Sequence, residues 1–255
     1  MSSVVDKIWR NALGTSPDAT QWTERLSLAD GEAAQLEVLG RWQAHGEALG
    51  GWKVGLTSGR SRDAFGAGFR PFGYILASRI LPSGAALERV RIRGCGVENE
   101  VCFLIGRDLA GASVDARAAR AAVHSIAPAF EINETRLPGN ADNGLRIADD
   151  LSQWGIVVGE KVALRSSIGE TIDLDRLTVE LARDGEPIER VAAPGHIDDH
   201  FASIAALTRE LAKFGRGLHA GDHVITGAFT RQAVAAPARF EGRFGALGSV
   251  SVSFV

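Results

Sequence analysis

Hydrophobic and polar positions change their period along the chain. Val4, Val5, Ile8, Trp9, Ala12 and Leu13 recur at helical spacing and stop at Gly14. Gly14 to Gln21 is rich in turn formers. A second helix is predicted over 31–49, with Ala33, Leu36, Leu39, Gly40 and Trp42 inward and Gly50-Gly51 as its stop. From Gly51 onward, short runs of β-branched and aromatic residues alternate with glycine and proline. They predict strands over 52–57, 73–76, 97–105, 127–132, 155–159, 178–183, 188–191, 224–227, 238–244 and 250–255. Asp184-Gly185 is a hairpin turn signal between two of these. Helical spacing returns in the alanine-rich stretch 114–126 and in 198–214, where Phe201, Ile204, Leu207, Leu211 and Phe214 form one face up to Gly215. Many short strands with few helices predict an α+β roll or barrel rather than a doubly wound sheet. Residues 1–50 then form a helical N-terminal cap, and 51–255 the β domain.

Composition narrows the class without naming a chemistry. The 255 residues suit one large domain, or one domain with a small helical appendage. With 45% hydrophobic and 23% charged residues the chain sits near the globular average. A net charge of −3 argues against a general nucleic-acid binder and against an anionic-membrane binder. No apolar run approaches the roughly 20 residues needed to span a bilayer. The first residues lack a basic segment followed by an apolar core, so no secretory signal is expected. Cys95 and Cys102, seven apart, fit no metal or redox spacing and would point to opposite strand faces. They read as reduced core thiols of a cytoplasmic protein.

The candidate chemistry centres on Val97-Glu98-Asn99-Glu100-Val101. Alternate residues of a strand share a face, so Glu98 and Glu100 project to one side. Two readings follow: an edge strand with two surface charges, or a buried pair neutralised by a divalent cation. Glu131, in the apolar run Pro128-Ala129-Phe130-Glu131-Ile132, is a third carboxylate that is costly to bury unpaired. Three carboxylates with room for water or substrate oxygens suit Mg²⁺ or Mn²⁺. A buried ion pair with Lys53 or Arg136 competes with that reading. Lys53, between Trp52 and Val54, either buries its stem and exposes its head or enters the pocket as a proton-transfer group.

An ordered set of strings now carries a resemblance. They are Trp52-Lys53-Val54-Gly55-Leu56-Thr57-Ser58, Val97 to Val101 with Ile105-Gly106-Arg107-Asp108-Leu109, and Pro128 to Ile132. Ala148-Asp149-Asp150, Leu218 to Asp222, Val224-Ile225-Thr226-Gly227 and Gly245 to Val252 follow. Together the chain from about residue 34 onward resembles the hydratase/decarboxylase branch of the fumarylacetoacetate hydrolase superfamily, whose members act in aromatic meta-cleavage pathways. The resemblance implies a mixed β-sheet roll with a helical N-terminal part, a Mg²⁺ or Mn²⁺ ion, and a homo-oligomer. It assigns the metal to Glu98, Glu100 and Glu131, and makes Lys53 the pocket lysine. The implied substrates are 2-hydroxy-2,4-dienoates and their 2-oxo tautomers. The carboxylate and 2-oxygen of such an acid can chelate the ion, which stabilises an enolate. The reaction implied is hydration. Decarboxylation of a 2-oxo-3-enedioate is the rival, with a carbon–carbon hydrolase of an acylpyruvate third. A catalytically idle small-acid binder or partner subunit is the reading from a different class.

The sequence also departs from the family pattern. Pro71 stands where the hydratases commonly carry an acid before Phe-Gly, and Asp150 stands for an Asn. Leu151 and Trp154 are bulkier than their family counterparts, whereas Ser152 matches a family serine. Ser152 and Asp149 are accordingly expected beside Lys53 as catalytic groups, with Asp149 or Asp150 orienting the lysine or a water, or merely capping a turn. Thr226, Gly227, Trp154 and His196 are expected to contact substrate, the first two through a hydroxyl and a backbone amide. His196 and His200 share a helical face and invite a second metal reading. The favoured alternative is a helix N-terminus capped by Asp198 and Asp199, with His196 left within reach of the pocket.

Overall fold

The computed structural model describes residues 2–14, 22–164 and 172–255. Of the turn-forming stretch at 14–21, only Gly14 lies within the described residues. Two helices lead, α1 (Ser2–Ala12) and α2 (Leu28–Ala44). Ser27 caps α2 by accepting from the Asp30 amide. The second helix ends at Ala44, five residues short of the predicted end at Leu49. Gly46 (φ +90°) turns the chain, and Leu49 to Gly51 instead begin β1 (Leu49–Val54). An added Cβ on Gly51 would lie 1.9 Å from the His223 carbonyl oxygen, so that glycine serves strand contact rather than helix termination.

The chain continues through β2 (Phe72–Leu76), β3 (Ile80–Pro82), β4 (Ala85–Leu87) and β5 (Gly96–Ile105). Helix α3 (Ala116–Ala122) is shorter than the alanine-rich pattern suggests, because Val123 to Ile126 extend β6 (Val123–Asn133). Those residues pair with Phe103 to Ile105, and the ladder overrides local helix propensity. After α4 (Asn143–Ala148) come β7 (Gln153–Val158), β8 (Val162–Ala163), β9 (Thr178–Arg183) and β10 (Glu186–Ala192). Helix α5 (His200–Ala212) precedes β11 (His223–Ile225), β12 (Thr230–Ala233), β13 (Ala238–Arg243) and β14 (Ser249–Phe254).

These elements form an α+β fold with two mixed sheets. The larger runs β2-β1-β11-β5-β6-β7-β3, with β12 also on β5 and β8 on β6; the smaller runs β10-β9-β13-β14-β4. Strand alternation divides the large sheet into unlike faces. Val97, Val101, Phe103, Phe130 and Ile132 enter the main core. The opposite face bears a small cluster of Ile75, Cys102, Ala127, Ala129, Ile156, Val158 and Ile225. Glu98, Glu100 and Glu131 share the residue parity of that second face. Cys95 and Cys102 are free and buried, and burial pushes their thiols up to about 11 and about 12. Among the described residues no helix is long and apolar enough to cross a membrane.

Candidate metal centre and active site

Register brings the three glutamates together. Glu98 of β5 stands directly opposite Glu131 of β6, and Glu100 stands opposite Ala129, whose small side chain leaves space. One oxygen from each carboxylate lies within 4.8 Å of the others, and each residue is only 3% exposed. The surface-charge reading of the Glu-x-Glu pair is therefore excluded. Burial, aggravated by Glu131, raises the Glu98 carboxyl to about 7. Burial together with Glu131 and Glu98 drives Glu100 well above the ordinary range.

The protein's own donors only partly meet this charge. Lys53 Nζ on β1 donates to Glu131 Oε1 at 2.6 Å and to the Leu151 carbonyl at 3.0 Å. Asn133 Nδ2 also donates to Glu131 Oε1, at 2.6 Å, and the Gly227 amide donates to Glu100 Oε2 at 2.6 Å. Arg231 Nη2 stands 2.7 Å from Glu98 Oε1 as an ion contact without hydrogen-bond alignment, so that buried oxygen has no directed donor. Its polar strand β12 has little hydrophobic signal, and only its register on β5 sets Arg231 opposite Glu98. A hard set of converging carboxylate oxygens, one still lacking a donor, fits a small divalent cation. Among the described residues this is the group of three or more potential ligands that converges, and the His196–His200 pair forms no such site.

The centre opens into a cavity of about 640 Å³ that also reaches Ser58, Ser152, Arg146 and Arg231. Asp150, Leu151 and Ser152 have φ of +59°, +51° and +64°, three consecutive non-glycine residues in the left-handed region. Each costs roughly 1–2 kcal/mol, so surrounding contacts must hold the turn. It carries Leu151 and Ser152 to the cavity wall and turns the Leu151 carbonyl to Lys53.

Lys53, Ser152, Gly227 and the three glutamates thus share one cavity. Four other expected residues lie off it. Asp149 is held by the buried Arg136, Nε to Oδ1 at 2.9 Å, in a network with Glu134 and Gln153. Its carboxyl therefore braces the structure behind the site. Thr226 points its hydroxyl at His200 Nδ1, 2.7 Å away, and its carbonyl accepts from Thr57. Trp154 borders a separate small cavity with Trp42, Tyr74 and Asp150, stacked by Arg79 at 5.4 Å. His196 Nε2 lies 3.3 Å from the Ala228 carbonyl. The Gly227 amide, expected to bind substrate, is taken by Glu100. Asp199 caps α5 through the Ala202 amide, while Asp198 pairs with Arg62 and Arg70. Asn133, Arg146 and the Leu151 carbonyl also serve the site but are not legible in the sequence, because isolated polar residues and a main-chain oxygen carry no periodic signal.

No family model matches the chain. A 2-keto-4-pentenoate hydratase of Dechloromonas aromatica is 30% identical over 237 residues, covering 91% of this chain and 88% of the relative. The chain belongs to the hydratase/decarboxylase branch of the fumarylacetoacetate hydrolase superfamily. Within that branch, the 4-oxalocrotonate decarboxylase of Pseudomonas putida is 27% identical over 232 residues, covering 90% of this chain and 86% of the relative. In fold, the 4-oxalocrotonate decarboxylase of Pseudomonas putida G7, solved with magnesium and adipate, superposes with a TM-score of 0.89 at 24% identity, over 99% of this chain and 96% of that one.

Proposed function

We propose that the protein is a divalent-metal-dependent lyase that adds water to a 2-hydroxy-2,4-dienoate through its 2-oxo tautomer. The observation that carries this is the buried Glu98–Glu100–Glu131 triad with Lys53 on its rim in an open cavity. The 30% identity to a hydratase supports the reaction class. Glu98, Glu100 and Glu131 would hold Mg²⁺ or Mn²⁺, which supplies Lewis acidity toward the carboxylate and 2-oxygen of a 2-oxo acid. Lys53 places an ammonium beside the triad, where it holds a transferable proton and faces charge developing on the substrate oxygen. Ketonisation of the dienol leaves a double bond conjugated to the 2-oxo group. Water oxygen then bonds to C4 and a proton to C3. Ser152, on the same wall, orients the water or the substrate.

Decarboxylation of a 2-oxo-3-enedioate is the second reading. Arg146 favours it: it lines the cavity, and its guanidinium donates to the Ala141 and Gly139 carbonyls rather than to a carboxylate. It is thereby suited to a second substrate carboxylate. The test is metal-dependent loss of the dienoate ultraviolet absorbance by wild type and Glu100→Ala, with CO₂ measured alongside. Turnover lost with the metal or with Glu100 supports the lyase, and CO₂ release selects the decarboxylase. Absence of turnover on both a 2-hydroxy-2,4-dienoate and a 2-oxo-3-enedioate, despite bound metal, overturns both. We further propose an N-terminal cap over residues 1–50, carrying helices α1 and α2, on a catalytic β-roll over 51–255. The family resemblance supports a homo-oligomer, and the free buried thiols support a reducing, cytoplasmic location.

A further inference from the structure

Asp150 and Gln35 lie outside the cavity, yet both are buried and joined in one hydrogen-bonded unit. Gln35, from α2, donates through Nε2 to Asp150 Oδ1 at 2.9 Å and to the Phe72 carbonyl at 2.9 Å. The same Asp150 oxygen accepts the Tyr74 amide at 2.8 Å. The carboxyl is thereby pinned to strand β2 and helix α2 at once. Asp150 is also the first of the three left-handed residues, and the next carbonyl, that of Leu151, accepts a hydrogen bond from Lys53 Nζ. A turn of three side-chain-bearing residues in this conformation opens unless something holds its start. Gly73 completes the arrangement. It pairs with Lys53 across β1 and β2, and a Cβ there would sit 2.9 Å from Lys53 Cγ and 3.1 Å from Asp150 Oδ1.

We infer that Gln35 and Asp150 are positioning residues for Lys53: the Gln35–Asp150–Tyr74 contacts hold the left-handed turn, and the turn's Leu151 carbonyl aims the ammonium between Glu131 and the cavity. Helix α2 thus sets the geometry of a group that touches substrate. The kinetic part of this inference rests on the lyase reading; the structural part does not.

Two measurements on the Mg²⁺-loaded protein test it. One is the rate at which Lys53 is acylated by acetic anhydride, read by mass spectrometry; the other is dienoate turnover. Gln35→Met and Asp150→Ala should label Lys53 several-fold faster than wild type. They should lower kcat roughly 10- to 100-fold with little change in KM, as misplacement of a reacting group does. Asp150→Asn keeps the Oδ1 acceptor and should restore both values. Unchanged labelling and kcat in Gln35→Met and Asp150→Ala, with only a lowered melting temperature, would reduce the unit to packing and overturn the inference. Should Asp150→Ala fail to fold, Gln35→Met carries the same two readouts. A wild type that turns over no dienoate removes the lyase reading, while the Lys53 labelling still decides this one.

Discussion

Lys53 holds Glu131 at 2.6 Å, and a divalent cation would draw on the same carboxylate cluster, so the two positive charges compete. Opposite effects follow from one substitution. Lys53→Met should bind Mg²⁺ more tightly in titration calorimetry, because a competing cation is gone. Its turnover should fall about 10²- to 10⁴-fold, the usual worth of a positioned proton-transfer group. A variant with full activity would remove Lys53 from the chemistry. Glu100→Ala should weaken Mg²⁺ affinity at least about tenfold, the loss seen even for residues that only orient a ligand. Circular dichroism should show that fold intact. Asp149, by contrast, belongs to a buried network: removing its partner in Arg136→Met should cost roughly 3–5 kcal/mol in denaturant titration, because it leaves a buried charge uncompensated.

At the scale of elements, α2 contributes more than a covering surface. It supplies Gln35 to the strained turn and sets Glu32 near Glu210 of α5 and Lys213 just after that helix. Burial first, then Glu210, raises the Glu32 carboxyl from 4.5 to about 7, and its Oε1 has no partner. The sign of the pH effect follows. Between pH 4.5 and 7 the unfolded chain releases this proton while the folded chain keeps it, so Glu32 increasingly disfavours folding as pH rises. Below pH 4.5 both states are protonated and the penalty vanishes. Glu32→Gln should therefore gain roughly 1–3 kcal/mol at pH 8 and almost nothing at pH 4. Urea titrations at the two pH values check this; an equal gain at both would contradict it. Helix α2 and strand β5 also differ in legibility. The β5 alternation is local and visible, whereas the α2 boundary at Ala44 depends on Gly51 meeting β11.

For the whole molecule, folding assembles a triad that repels itself, so a bound cation should stabilise the native state as a unit. At about 100 times its dissociation constant a ligand adds about 2.7 kcal/mol. In a chain of this size that shift should raise the melting temperature by roughly 5–10 °C, and EDTA should reverse it. Identical melts with and without Mg²⁺, Mn²⁺ or EDTA would argue that the cluster holds no metal.

The sequence by itself determined the α+β class, most strands, the shared face of Glu98 and Glu100, and the set of strings that marks the family. These are local or ordered along the chain, and alternation or glycine punctuation makes them visible. Tertiary structure alone decided which polar residues meet. The β5–β6 register set Glu131 opposite Glu98, and β12 carried Arg231 beside them. The same long-range packing turned Thr226 toward His200, Asp149 toward Arg136 and Trp154 toward Arg79, away from the cavity where their chain positions had suggested them. Side-chain partners come from distant strands and helices. The energy that selects them is burial of charge against available donors, which no single segment contains.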